Sequence, residues 1–130
     1  MDLFEGPTDV FGMAIYNSLL DKVETDPKYE KFVQNLEEKV MVDLDYYSLL
    51  IKFEKGKEFE VIKKEEAEEK SPDNDDIKPT IRVKIKVQNF LDILEGKSSI
   101  IKSFLTGQLK FKKGFLKIYK VYKLFSKMMS

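Results

Sequence analysis

The stretch NFLDILEGKSSIIKSFLTGQLKFK, residues 89–112, carries the clearest run of secondary-structure signals in the chain. Asn89 can cap a short helix, and Gly96 ends that helix in the manner of a left-handed C-cap. Ser98 or Ser99 starts a second helix, and a strand of alternating apolar residues and lysines follows it. The stretch therefore predicts two helices and a strand in close succession, which is typical of an α+β domain.

The residues before this stretch predict two helices followed by four strands. A first helix ends near Glu24, and Asp26–Pro27 caps and starts a second one. The apolar period then changes to two, which predicts strands over residues 40–46, 49–53, 59–61 and 80–87. The apolar parity flips between Tyr46 and Leu49, so a tight turn or bulge is required there, whereas Lys55–Gly56 provides an ordinary hairpin turn.

Length and composition limit the class of protein. The chain has 130 residues, which predicts a single domain over residues 1–130. Its 23 basic residues balance 23 acidic ones, and it contains neither cysteine nor histidine, so disulfides and thiol chemistry are excluded. The N-terminus does not look like a secretory signal and no apolar run has membrane-spanning length, so we expect a soluble, cytoplasmic protein. The highly charged residues 63–78 predict a solvated loop.

The residues give little support to catalysis or nucleic-acid binding. General acid–base chemistry usually needs histidine or a carboxylate shifted by burial, and Asp43 and Asp45 fall on a predicted solvated strand face. Metal-ligand spacings of histidine or cysteine are missing, and the acids of the 63–78 loop lack the glycine and glutamate of a calcium loop. Tyr119 and Tyr122 could stack on bases, but they lie away from the lysines. We therefore predict no enzymatic activity, cofactor, metal site or nucleic-acid partner.

The C-terminal helix, predicted over residues 114–128, is strongly amphipathic. Apolar side chains cover about half of its helical wheel and lysines most of the rest, although Leu116 and Leu124 fall in the lysine sector. The helix can be a core helix whose lysines are simply solvated, or a lid over a lipid cavity that also touches an anionic membrane. Every side chain after Glu95 that is charged at neutral pH is a lysine, which suits contact with a negatively charged surface.

Three motifs in the second half of the chain resemble those of the sterol carrier protein 2 (SCP2-like) lipid-binding domain family. They are KPTIRV at residues 78–83, NFLDILEGK at residues 89–97 and SFLTGQLKFK at residues 103–112. The order of the predicted elements resembles the family over nearly the whole chain. The sequence departs from the family pattern in lacking the usual tryptophan of the second strand, and Ser98–Ser99 replaces the proline common before the penultimate helix.

The resemblance implies an α+β fold in which a five-stranded, mostly antiparallel sheet is covered on one face by about five helices that enclose an apolar tunnel. It also implies non-catalytic binding of fatty acyl or sterol-like lipids. The lysines of the C-terminal helix add the expectation of weak contact with an anionic membrane. The predicted lipid contacts are Phe90, Leu94, Ile101, Phe104, Leu105, Phe111, Phe115, Ile118, Tyr119, Tyr122 and Phe125. The predicted membrane contacts are Lys113, Lys117, Lys120, Lys123 and Lys127.

A second interpretation stays open at this point. Domains of this kind can serve a larger enzyme or complex, and the same apolar groove would then hold a partner protein or an isoprenoid or quinone-type ligand. The chain would in that case be an accessory or regulatory interaction domain.

Overall fold

The structure is a computed structural model that describes residues 10–45, 48–63, 78–126 and 128. Its first two elements are helices. Helix α1 spans Val10–Thr25 and helix α2 spans Pro27–Gln34. The Asp26 carboxylate accepts hydrogen bonds from the backbone N–H groups of Lys28 and Tyr29, at 3.1 and 3.3 Å. This cap, followed by proline at the first helical position, confirms the predicted helix start.

The sheet has five strands in the order β3-β2-β1-β4-β5. The strands are β1 (Glu38–Asp43), β2 (Ser48–Phe53), β3 (Glu60–Lys63), β4 (Ile81–Ile85) and β5 (Leu109–Lys113). All neighbouring pairs are antiparallel except β1 and β4, which are parallel. The predicted five-stranded, mostly antiparallel sheet is therefore confirmed.

The register between β1 and β2 confirms the predicted change of parity. Val40 pairs with Ile51 and Val42 pairs with Leu49, so even-numbered residues of β1 share the core face with odd-numbered residues of β2. Residues 46–47, where the parity changes, lie outside the described residues. The hairpin turn at Gly56 has a φ of 79°, as a tight turn of this kind requires.

The opposite face of the sheet is less exposed than the alternation predicted. Met41, Leu50 and Ile62 form a second buried apolar cluster, because they lie side by side on neighbouring strands. The prediction of a simply solvated outer face is wrong for β1, since Asp43 on the same face is also buried.

The remaining helices follow β4. They are α3 (Val87–Leu94), α4 (Ile100–Leu105), a 3-10 turn (Phe115–Lys117) and α5 (Ile118–Phe125). Helix α3 begins at Val87, three residues before the predicted start at Phe90, so Asn89 lies inside it and does not cap it. The left-handed residue after α3 is Gly96, with φ of 83°, and the Ser99 hydroxyl caps α4 by accepting from the Lys102 N–H at 3.0 Å. Both of these predictions are confirmed.

The main core lies between the sheet and the helices. The rings of Phe90 and Phe125 meet edge to face with centroids 5.1 Å apart, which joins α3 to α5. The Tyr29 hydroxyl donates to the Leu124 carbonyl at 2.8 Å and so ties α2 to α5, and burial raises the pKa of this phenol. Leu124 is fully buried, so its position in the lysine sector of the helical wheel was misleading, whereas Leu116 is 93% exposed.

Two predictions concern parts of the chain that are described incompletely. Within the predicted solvated loop 63–78, residues 64–77 lie outside the described residues. The predicted 114–128 lid is a 3-10 turn followed by an eight-residue helix. None of the helices in the described ranges combines the length and apolar character needed to cross a bilayer.

Candidate functional site

Three phenylalanine rings join α4, β5 and the 3-10 turn into one aromatic cluster. The ring centroid of Phe104 lies 5.7 Å from that of Phe111 and 5.1 Å from that of Phe115, and the last two are 5.9 Å apart. Two glycines allow this convergence: Gly107 turns the chain from α4 into β5, and Gly114 turns it into the 3-10 segment, with φ of 80° and 78°. We call this set the Phe104 cluster.

Gly114 also permits a close backbone approach. A Cβ at this position would lie 2.6 Å from the Thr80 carbonyl oxygen, which is closer than real side chains come. The 3-10 turn therefore starts directly against the beginning of β4, and this contact fixes where Phe115 and the following helix lie.

Large apolar side chains project into solvent around the Phe104 cluster. Leu105 is 75% exposed, Leu116 93% and Tyr119 73%. We define the apolar face as the exposed residues Ile101, Leu105, Phe115, Leu116, Tyr119 and Tyr122. In the described part of the chain, the only other exposed large apolar side chain is Leu20 on α1. Exposed apolar surface is thus concentrated at one place, which is typical of an interaction site.

The structure distributes the predicted lipid-contact residues over three environments. Phe90, Leu94 and Phe125 are fully buried in the core. Phe104, Phe111 and Ile118 are half-buried, and the other five belong to the apolar face. The structure therefore places eight of the predicted contacts at or near the surface, on α4, β5, the 3-10 turn and α5, and it buries Phe90, Leu94 and Phe125 in the core.

Three surface clefts open elsewhere on the described chain. The first, of about 330 Å³, lies beside Glu38 and Phe53; the second, of about 750 Å³, lies beside Asp43 and Lys84; the third, of about 710 Å³, lies between α1 and the Gly56 turn. Predicted lipid-contact residues line none of these three clefts. The apolar tunnel stays a prediction.

A buried carboxylate holds the C-terminal segment to the sheet. Glu38, at the start of β1, has a side chain only 2% exposed and accepts from Lys117 Nζ at 2.9 Å and Lys120 Nζ at 2.5 Å. Burial by itself raises the pKa of the Glu38 carboxyl, but hydrogen bonds from Lys120, Thr80 and Lys117 hold it below its ordinary value. Two of the five predicted membrane lysines are therefore paired internally.

Sequence reasoning missed Glu38, although one signal was present. Glu38 has the same parity as Val40 and Val42, so its side chain points to the core face of β1. An acid at an inward position requires a cationic partner, and the lysine-rich C-terminal helix is the obvious source.

Asp43 is also part of an ion-pair network, and its assignment to ordinary surface was wrong. Its carboxylate accepts from Arg82 Nε at 2.7 Å and Nη2 at 3.2 Å and from the Ser48 hydroxyl at 2.5 Å, with Lys112 Nζ at 3.8 Å. Burial raises the pKa of the Asp43 carboxyl, but hydrogen bonds from Arg82 and Ser48 and the nearby charges lower it below its ordinary value. The network joins β1, β2, β4 and β5 on the outer face of the sheet.

The other predicted membrane lysines differ from Lys117 and Lys120. Lys113 and Lys123 are exposed, and no ion pair involves either of them within the described ranges. Lys123 Nζ lies 5.6 Å from the centre of the Phe32 ring, a cation–π contact with α2. Lys127 lies outside the described residues.

Several solved structures of sterol carrier domains are similar to this one. Apo sterol carrier protein 2 from Yarrowia lipolytica matches with a TM-score of 0.60 and 17% identity, over 89% of this chain and 90% of that chain. The UbiJ-SCP2 ubiquinone synthesis protein matches with a TM-score of 0.63 and 13% identity, over 86% and 90% of the two chains. Sterol carrier protein domain 2 of Helicoverpa armigera matches with 0.60 and 14%, over 85% and 84%. No protein-family model and no curated protein matches the sequence.

These matches show the fold of the chain. They cover most of both partners, and the matching fold is the five-stranded sheet with the helices described above. The chain therefore has the SCP2-like α+β fold, and the prediction made from its three motifs is confirmed.

Proposed function

We propose that this protein binds and carries fatty acyl or sterol-like lipids without catalysing a reaction on them. One observation supports this proposal above the others: the concentrated apolar face above the Phe104 cluster occurs on a fold that it shares with sterol carrier domains. Apolar side chains left in water at one place favour an apolar ligand.

The proposed site comprises the eleven residues predicted to contact lipid. The half-buried Phe104 and Phe111 rings offer the first contacts that an acyl chain would reach from the apolar face. Phe90, Leu94 and Phe125 lie deeper, so a ligand that touches them must displace the packing between α3 and α5. The 3-10 turn and α5 would act as the cover that moves.

Weak contact with an anionic membrane is part of the proposal. Of the predicted lysines in the described residues, Lys113 and Lys123 are exposed and outside any ion pair, while Lys117 and Lys120 bind Glu38, although their side chains stay 40% and 43% exposed. Each lysine near an anionic bilayer contributes about 1 kcal/mol, so two of them give an association that is readily reversed. A carrier needs to leave the membrane again.

A titration with a fluorescent fatty acid tests the lipid-binding function directly. We expect saturable binding that long-chain lipid reverses, because the probe replaces water against the apolar face. Phe115→Ala should weaken binding by about tenfold, since it removes a ring of the Phe104 cluster. Leu20→Ala, which truncates an exposed apolar side chain on α1, is the matched control and should leave the affinity unchanged. Absence of binding, together with native mass spectra free of lipid, would contradict the proposal.

An accessory role in a larger assembly is the second candidate. It is favoured by the similarity to the UbiJ-SCP2 ubiquinone synthesis protein, whose name connects this fold with quinone synthesis. In that role the apolar face would receive an isoprenoid or quinone-type ligand or a partner protein. Competition of a prenylated quinone with the fluorescent fatty acid distinguishes a quinone-type ligand from a fatty acyl one.

A further inference from the structure

We propose that the apolar face inserts into the surface of an anionic bilayer, with Leu105, Leu116 and Tyr119 as the deepest side chains. This inference rests on the proposed lipid-carrier function and deepens it, because it assigns membrane insertion to named apolar side chains of α4, the 3-10 turn and α5. It assigns no membrane contact to Lys117 and Lys120, because both bind the Glu38 carboxylate.

The shape of the apolar face is the first argument for insertion into a bilayer. Leu116 and Tyr119 are 93% and 73% exposed, so they project outward from the turn between β5 and α5 and do not line a groove. A partner helix binds in a groove, where side chains surround it. A bilayer instead accepts projecting apolar side chains into its interfacial region.

The second step concerns the rigidity of the support. Phe104, Phe111 and Phe115 contact one another beneath the face, and α4 packs against both β5 and α5. The neighbouring Leu105 and Leu116 are therefore presented from one packed unit. Insertion then needs no ordering of the chain, which keeps its entropic cost low.

The charge of the lysines near the apolar face indicates that the face binds an anionic bilayer. Exposed Lys102 and Lys123 lie on α4 and α5, which carry residues of the apolar face, and exposed Lys113 ends β5 just before the 3-10 turn. No ion pair involves these three lysines in the described part of the chain. The sequence has no acidic residue after Glu95, so lysines are the only charged side chains that α4, β5, the 3-10 turn and α5 contribute. Apolar side chains with lysines around them match an anionic bilayer, whose headgroups attract the lysines while its hydrocarbon receives the side chains.

Flotation with phospholipid vesicles tests the inference. The intact chain should bind vesicles of phosphatidylcholine with phosphatidylglycerol and should bind phosphatidylcholine alone much less. Leu116→Gln should lower vesicle binding about fivefold or more, since it removes an apolar side chain from the hydrocarbon boundary. Lys113→Gln should lower it about fivefold, and added salt should reduce the difference.

Matched controls separate insertion from general effects of the substitutions. Leu20→Gln and Lys28→Gln change an exposed apolar residue of α1 and an exposed lysine of α2, away from the face, and should bind vesicles like the original chain. Equal flotation of Leu116→Gln and Leu20→Gln would overturn the inference, as would equal binding to neutral and anionic vesicles. If the apolar face instead binds an acidic protein, the chain should not bind vesicles. That result also overturns the inference.

The fluorescent fatty acid titration, performed without vesicles, distinguishes this failure from that of the proposed function. Saturable fatty acid binding without flotation overturns the insertion face and leaves the carrier function intact. Flotation that depends on Leu116 without fatty acid binding supports the insertion face and overturns the carrier function.

Discussion

Glu38 connects the sheet to the C-terminal segment through two lysines of the same helical surface. A carboxylate with a side chain 2% exposed is stable as an anion only while hydrogen-bond donors compensate for its lost hydration. Lys117 and Lys120 provide that compensation, with Thr80 beside them. Two lysines that the sequence alone would assign to a solvated helix face, Lys117 and Lys120, therefore have a structural role.

This arrangement predicts a loss of stability when both lysines are replaced. Lys117→Gln with Lys120→Gln should lower the free energy of unfolding by about 2–3 kcal/mol, because an uncompensated carboxylate is left buried. Urea denaturation measures the change. Lys102→Gln, an exposed lysine of α4 outside any ion pair in the described residues, should change stability by less than about 0.5 kcal/mol. A triple variant that adds Glu38→Gln should recover part of the loss, and failure to recover any would contradict the explanation.

At the scale of elements, the junction between β5 and the 3-10 turn decides where the apolar face forms. Gly114 has positive φ and also touches the backbone of β4, so it meets two separate requirements. Gly114→Ala should destabilise the protein by about 2–3 kcal/mol, because the Cβ would collide with the Thr80 carbonyl as well as strain the backbone.

The hairpin glycine offers a matched control for that prediction. Gly56 has nearly the same φ, 79°, but a Cβ there would meet nothing within 4 Å. Gly56→Ala should therefore cost only the conformational strain, about 1 kcal/mol. Urea denaturation of both variants measures the difference, and equal losses would show that the contact with Thr80 has no energetic weight.

Local signals predicted the cap at Asp26, the turn at Gly56 and the end of α3 at Gly96, since each depends on residues next to one another in the chain. The burial of Asp43 was not predictable in this way, because Arg82 reaches it from β4, 39 residues later in the chain. The exposure of Leu116 and the burial of Leu124 also depend on tertiary contacts. A helical wheel treats both alike, although Leu116 lies in the 3-10 turn and so does not follow the α-helical period.

For the whole molecule, two features conflict. The core between the sheet and the helices is closely packed, whereas the exposed apolar face favours an apolar ligand. Phe90 and Phe125 are buried in direct contact with each other, whereas lipid carriage by a tunnel requires the interior to admit a guest. Helix α5 carries Phe125 and is held by the Glu38 ion pairs at one end and by the Tyr29 hydrogen bond to the Leu124 carbonyl at the other. In the proposed lipid-carrier function, movement of this segment is the step that would give a lipid at the surface access to the buried residues.

This mechanism predicts that weakening the Glu38 clamp improves lipid binding. If binding requires α5 to move, the clamp reduces the population of the competent state, and the apparent affinity falls in proportion. The Lys117→Gln, Lys120→Gln variant should therefore bind the fluorescent fatty acid about tenfold or more tightly, at temperatures where its urea curve shows it fully folded. Lys102→Gln should bind as the original chain does. Because a ligand held only on the outer apolar face would not require this movement, unchanged affinity in the double variant would place the lipid outside the core.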